Sequence, residues 1–169
     1  MPDVSSSPVP INAERLQMLM ETLSTFGGGP DGSMTRLTLS REDGMARDWL
    51  GHWFAENGFE QAVDSIGNQF GKMTLAGANA PVVMVGSHID SQPNGGRFDG
   101  ALGVIAACEA VLSVSERLKA EGRLSACNFQ IVNWTNEEGA RFQPSLLGSS
   151  VFTGAIDLEW ALERADGDG

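Results

Sequence analysis

The stretch VVMVGSHIDSQPNGGRFDGALG, from Val82 to Gly103, decides the fold. Its opening run, Val82 to Val85, has the apolar and β-branched character of a strand. Such a strand delivers Gly86, Ser87, His88 and Asp90 to its end, where open α/β sheets place their chemistry. Asp99 follows nine residues after Asp90. The intervening QPNGGRF is loop chemistry, so His88 and Asp99 can fold back toward one another with neither inside a regular element. An imidazole and carboxylates brought together in this way suggest a metal.

A lone His-x-Asp is ordinarily a hydrogen-bonded surface pair, and a second stretch changes that reading. IVNWTNEEGARF, from Ile131 to Phe142, is again an apolar strand run that ends abruptly in polar residues, with Glu137 and Glu138 at the exit. Between the two strands lies GALGVIAACEAVLSVSERL, whose small residues predict a helix through Leu118, and EGR then turns the chain into a strand from Asn128 to Trp134. Strand, helix and strand make a βαβ unit with parallel strands and a right-handed crossover. His88 and Glu138 are therefore expected at the same sheet edge. The glycine-rich turn before the helix matches neither the dinucleotide fingerprint nor the P-loop lysine pattern, and Asp99 would repel a phosphate.

The flanking sequence supplies the remaining layers. Residues 1–12, rich in Ser and Pro, read as a mobile arm. Asn12 caps a helix carrying Leu16, Leu19, Met20 and Leu23 on one stripe, and the glycines of FGGGPDG end it. SRED, from Ser40, reads as a capping box with Asp43 in the acidic position, opening a helix with Met45, Trp49, Leu50, Trp53 and Phe54 on its apolar face. Glu42 and Asp43 read there as a solvent-facing pair that compensates the helix dipole. His52, inside that helix among aromatics, reads as a packed or surface residue outside the site. Phe59 to Val63 and Gln69 to Leu75 read as a hairpin around DSIGN. Beyond Glu138 the sequence predicts short helical pieces broken at Gly148 and Gly154, and a frayed ADGDG end.

Composition excludes several classes. The 169 residues, 41% of them hydrophobic, suffice for one domain with a proper core. A formal charge of −11 would repel a phosphate backbone, which argues against nucleic acid as a partner. No window approaches the about 20 apolar residues of a membrane helix, and MPDVSSSPVP lacks the basic start and apolar body of a signal peptide, so the expected compartment is the cytoplasm. Cys108 and Cys127 read as small buried residues and not as a disulfide.

GSHIDSQPNGGRFDG (Gly86 to Gly100) and WTNEEGARF (Trp134 to Phe142) resemble the two metal-site motifs of the zinc-dependent hydantoinase/carbamoylase group of the M20 metallopeptidase-like amidohydrolases. That group includes N-carbamoyl-L-amino-acid hydrolase, β-ureidopropionase and allantoate amidohydrolase, and the similarity runs from about Leu37 to Gly154. The resemblance implies an α/β fold, part of a three-layer sheet-and-helix catalytic domain of a di-metal hydrolase. It implies two divalent metal ions, zinc, manganese or cobalt, with His88 ligating one, Asp99 bridging both and Glu138 ligating the second. Asp90 is implied as the carboxylate that holds the imidazole by its other nitrogen, and Glu137 as the general base. A cis peptide between Asp99 and Gly100 is implied as well.

The physical logic stands beside the resemblance. A bridging carboxylate holds two cations about 3.5 Å apart, and water between them is acidified enough to attack an amide carbonyl near neutral pH. The implied substrate is an N-carbamoyl-L-amino acid or related ureido acid, hydrolysed to amino acid, carbon dioxide and ammonia, with allantoate or β-ureidopropionate as alternatives. Members of the group also carry two further histidine ligands from later in the chain and a separate lid and dimerisation domain. Neither is found in this sequence, so residues 13–169 are expected to be the N-terminal part of the catalytic domain of a homodimeric enzyme, inactive alone. The alternative of another class is a non-catalytic domain that acts by association.

Overall fold

A computed structural model describes residues 8–167. Two helices come first, α1 (Ala13–Ser24) and α2 (Arg41–Glu56), followed by strands β1 (Glu60–Val63), β2 (Gln69–Met73) and β3 (Val82–His88). Helix α3 (Ala101–Ala120), strand β4 (Asn128–Trp134) and two short helices, α4 (Leu147–Phe152) and α5 (Leu158–Leu162), complete the described chain. The sheet order is β1-β2-β4-β3. β1 and β2 form the expected antiparallel hairpin, β2 runs antiparallel to β4, and β3 lies parallel to β4 with His88 opposite Trp134. The parallel pair flanking α3 is the βαβ unit read from the sequence.

Helices α1 to α3 cover one face. Leu19, Met20 and Leu23 of α1, Leu50 and Phe54 of α2, and Val104, Ile105, Cys108 and Val111 of α3 form one buried cluster with Met73 and Ile131 of the sheet. On the opposite face Phe152 of α4 packs against Phe70 and Trp134. β3 ends the sheet, and Val82, Val83, Met84 and Val85 stay exposed along it.

The caps follow the sequence closely. The Asn12 side chain accepts the Arg15 N–H, and the Ser40 hydroxyl accepts the Asp43 N–H. Asp43 departs from the capping-box reading: its carboxylate reaches back to the Leu39 N–H, is fully buried, and pairs with Arg47 at 3.0 Å. It is therefore an internal anchor, in contrast to the solvent-facing role expected of it with Glu42. Met45 is exposed and Ala46 is buried in its place, because the core-facing stripe of α2 runs through Ala46, Leu50 and Phe54.

Three further expectations are corrected. Gly148 does not break a helix but lies inside α4, where an added Cβ would stand 2.6 Å from the Thr135 carbonyl oxygen. Asp166, in the segment read as frayed, is held by Arg141 at 2.9 Å. The Asp99–Gly100 peptide is not cis; the cis bond among the described residues is Gln143–Pro144. Of the arm expected over residues 1–12, residues 1–7 lie outside the described residues, and Asn12 is fixed as the α1 cap. Both cysteines are free. No helix among the described residues is long and apolar enough to cross a membrane.

Candidate metal centre

The parallel register of β3 and β4 brings both strand exits side by side. His88 is the last residue of β3, and its ring is almost fully buried. Its Nδ1 lies 2.9 Å from the Asp90 carbonyl oxygen and 3.4 Å from Asp90 Oδ1. This leaves Nε2 facing outward, 3.2 Å from Glu137 Oε2.

Asp90 reaches further than the imidazole. Oδ1 accepts the main-chain N–H of Glu137 and Oδ2 that of Glu138, each at 3.3 Å, and Oδ2 also accepts the Thr38 hydroxyl at 3.0 Å. One carboxylate thus fastens the exit of β4 to the exit of β3.

Asp99 arrives from the loop between β3 and α3. The Ala101 N–H donates to the Asp99 carbonyl at 2.5 Å across Gly100, which has φ 61° and ψ −50°. This is a γ-turn of the positive-φ kind, a conformation that an L side chain resists. Glycine is required at position 100 for a second reason, since a Cβ there would lie 2.2 Å from His88 Nε2. The sharp turn that carries Asp99 is thereby packed against the imidazole.

His88, Asp99 and Glu138 each offer a ligand atom, and these atoms all lie within 4.8 Å of one another. One imidazole nitrogen and two carboxylates converging from three chain segments form a donor set that suits a divalent cation. Electrostatics point the same way. Burial lowers the pKa of His88, but the hydrogen bond and charge of Asp90 and the charge of Glu137 outweigh it, leaving the group above its ordinary value. Burial, with the charges of Glu138, Asp90 and Asp99, pushes Glu137 up against the opposing pull of His88. For Asp90 burial acts upward, and the bonds from His88, Thr38 and the Glu138 amide bring it below the usual carboxylate range. The cluster holds more negative charge than its single imidazole can neutralise.

All five residues expected at the site, His88, Asp90, Asp99, Glu137 and Glu138, lie in this one cluster. His52 stands apart as expected, exposed on α2 with Nδ1 against the Asp48 carbonyl. Three neighbours were not singled out from the sequence. Thr38 holds Asp90. Gln92 donates to Glu138 Oε2 at 2.9 Å. Arg36 is buried behind the site and donates to the carbonyls of Ile89, Leu23 and Phe26, its pKa lowered by burial to about 10. Thr38 lies within the stretch that carries the resemblance, which was the available signal for it. Arg36 gave none, because arginine is ordinarily a surface residue.

Known proteins match this chain over most of its length. The family described as Peptidase family M28 matches residues 72–162. The crystal structure of a hydantoinase/carbamoylase family amidase from Burkholderia ambifaria superposes with a TM-score of 0.88 at 42% identity, over 95% of this chain and 38% of that one. N-carbamoyl-L-amino-acid amidohydrolase from Rhizobium meliloti is 39% identical over 94% of this chain and 37% of its own length. Allantoate amidohydrolase from Bacillus subtilis is 35% identical over 89% of this chain and 35% of its own length. The chain thus spans less than two fifths of these relatives.

Proposed function

We propose that this chain, which belongs to Peptidase family M28 and to the hydantoinase/carbamoylase group of amidohydrolases, holds the metal site of an enzyme that hydrolyses the carbamoyl C–N bond of N-carbamoyl-L-amino acids. The products are the amino acid, carbon dioxide and ammonia. The observation that carries this reading is the convergence of His88, Asp99 and Glu138 within 4.8 Å, with Asp90 behind the imidazole and Glu137 beside it.

His88, Asp99 and Glu138 would hold two divalent cations, zinc, manganese or cobalt, with Asp99 shared between them. When bound, such ions acidify water and polarise the amide carbonyl. The protein's own residues do the rest. Glu137, whose pKa is raised and whose carboxylate is half-buried at the rim, takes the proton of the attacking water and returns it to the leaving nitrogen. Asp90 fixes the imidazole so that Nε2 points outward, and through its bonds to both glutamate amides it sets their distance from His88.

These ligands fall short of the about four positions that each cation fills, so the reading calls for further donors from polypeptide beyond these 169 residues. It also places the protein in the cytoplasm and the working enzyme in a homodimer. A ureido acid such as allantoate is the second reading, favoured by the similarity to allantoate amidohydrolase.

The test is ammonia release from N-carbamoyl-L-amino acids and from allantoate by a longer polypeptide carrying this sequence, run with metal analysis. Turnover on the former, lost together with metal in His88→Ala, is expected. Full turnover by His88→Ala, or none on any ureido acid by the metal-loaded protein, would overturn the reading.

A further inference from the structure

We infer that Gln92 is a positioning residue of the metal centre, holding one oxygen of Glu138 so that the other is presented to the cation. The inference rests on the metal reading above. Gln92 Nε2 donates to Glu138 Oε2 at 2.9 Å, bridging the loop after β3 to the exit of β4. A carboxylate held at one oxygen by an amide N–H still has its second oxygen for a cation, so this bond is compatible with loading. The contact of Glu137 with His88 is different, since it uses the very nitrogen a metal would take.

The loop that carries Gln92 is built to hold the amide in place. Ser91 and Arg36 exchange bonds, the Ser91 N–H donating to the Arg36 carbonyl and the Arg36 N–H to the Ser91 hydroxyl, each at 2.9 Å. Met34 and Gly95 pair in the same reciprocal manner, and the Asn94 N–H donates to the Thr35 hydroxyl. The segment 34–36 therefore clamps the chain on both sides of Gln92. Gln92 contributes to the turn itself through its main-chain carbonyl, which accepts from Gly95 N–H and the Ser91 hydroxyl. Its exposed side chain thus takes no part in building the loop, and among the described residues its hydrogen bond goes to Glu138.

Hydrogen-bond partners that orient metal ligands commonly matter 10- to 100-fold in metal affinity. Glu138 without the amide is free to rotate, and its entropy of ordering then falls on metal binding. Gln92→Ala removes the donor, while Gln92→Met removes it at nearly constant volume.

The experiment titrates manganese(II) into a longer polypeptide carrying this sequence and into the same polypeptide with each substitution, following the free-ion paramagnetic resonance signal, with thermal unfolding of each protein recorded without metal. Both variants are expected to bind manganese about 10- to 100-fold more weakly than the parent, with unfolding midpoints unchanged. Parent-like manganese affinity in Gln92→Ala and Gln92→Met would overturn the inference and leave the metal reading intact. Lowered metal-free midpoints in both variants would overturn it too, by showing a part in the fold. Failure of the parent longer polypeptide to bind manganese would instead remove the metal reading, and this inference with it.

Discussion

Asp90 Oδ1 lies 3.3 Å from the main-chain nitrogen of Glu137, so the residue that steadies the imidazole also fixes the backbone of the proposed base. Replacing Asp90 by Ala strips acceptors from the Glu137 and Glu138 N–H groups and from the Thr38 hydroxyl at once. The expected loss is about 1–3 kcal/mol of stability, read by urea denaturation, because half-buried donors are left unpaired. Metal affinity should fall alongside it. Unchanged stability in Asp90→Ala would show that the strand exits are held by other means.

Gly100 offers a sharper contrast. Gly100→Ala forces a side chain into a φ of 61° and within 2.2 Å of His88 Nε2, whereas a Cβ at Gly96, in the same loop, meets nothing within 4 Å. We expect Gly100→Ala to lose about 1–3 kcal/mol and to abolish measurable metal binding. Gly96→Ala should stay within about 0.5 kcal/mol of the parent. Equal behaviour of the two in denaturation and metal titration would contradict the packing described.

Glu137→Gln separates base from ligand. Glu137 is outside the three residues whose ligand atoms converge within 4.8 Å, and it touches them through His88. In a turnover-competent protein carrying this sequence, Glu137→Gln should cut kcat by about 10²- to 10⁴-fold while metal content stays near that of the parent. Loss of metal in step with activity would make Glu137 a ligand.

Far from this site, the buried Glu109 of α3 accepts from Arg15 and from the Asn12 N–H of the α1 cap. Burial pushes the Glu109 pKa up, and the bonds from Arg15, Ser113 and Asn12 outweigh it, so the folded value lies below the ordinary one. A depressed carboxylate stabilises the fold above its unfolded pKa of about 4.3 and loses that contribution as pH falls through the folded value. The gap in stability between the parent and Glu109→Gln should therefore be widest at neutral pH and narrow under acid, as Glu109 takes up a proton. Denaturation curves at several pH values measure it, and a gap independent of pH would refute it.

What could be read from the sequence follows a physical division. The strand exits were legible because apolar runs ending abruptly in His88 and in Glu137 and Glu138 are local patterns, and the βαβ rule then aligns them. The roles of these residues came from the resemblance of the two motifs. What was hidden depends on contacts between distant segments. Asp43 looked like a surface acid because its partner Arg47 is itself held by the Gly67 carbonyl and the Thr135 hydroxyl, far along the chain, and nothing near Asp43 in sequence announces those contacts. Gly148 looked like a helix breaker, and only the approach of Thr135 shows why glycine sits within α4. Gln92 read as loop filler because its partner, Glu138, lies 46 residues away.

The uncovered edge of the sheet has a consequence for solution behaviour. Along β3, Val82, Val83, Met84 and Val85 remain exposed, and no strand among the described residues pairs with the outer side of β3. Such an edge is a template for strand addition by any chain that reaches it, with backbone groups and apolar side chains both waiting. Opposing this is the formal charge of −11, which keeps copies of the chain apart at low ionic strength. Salt shortens the reach of that repulsion to about 10 Å at 0.1 M without weakening the apolar attraction. Added salt, which ordinarily helps proteins stay dispersed when charge patches attract, should here drive this chain toward edge-to-edge aggregation.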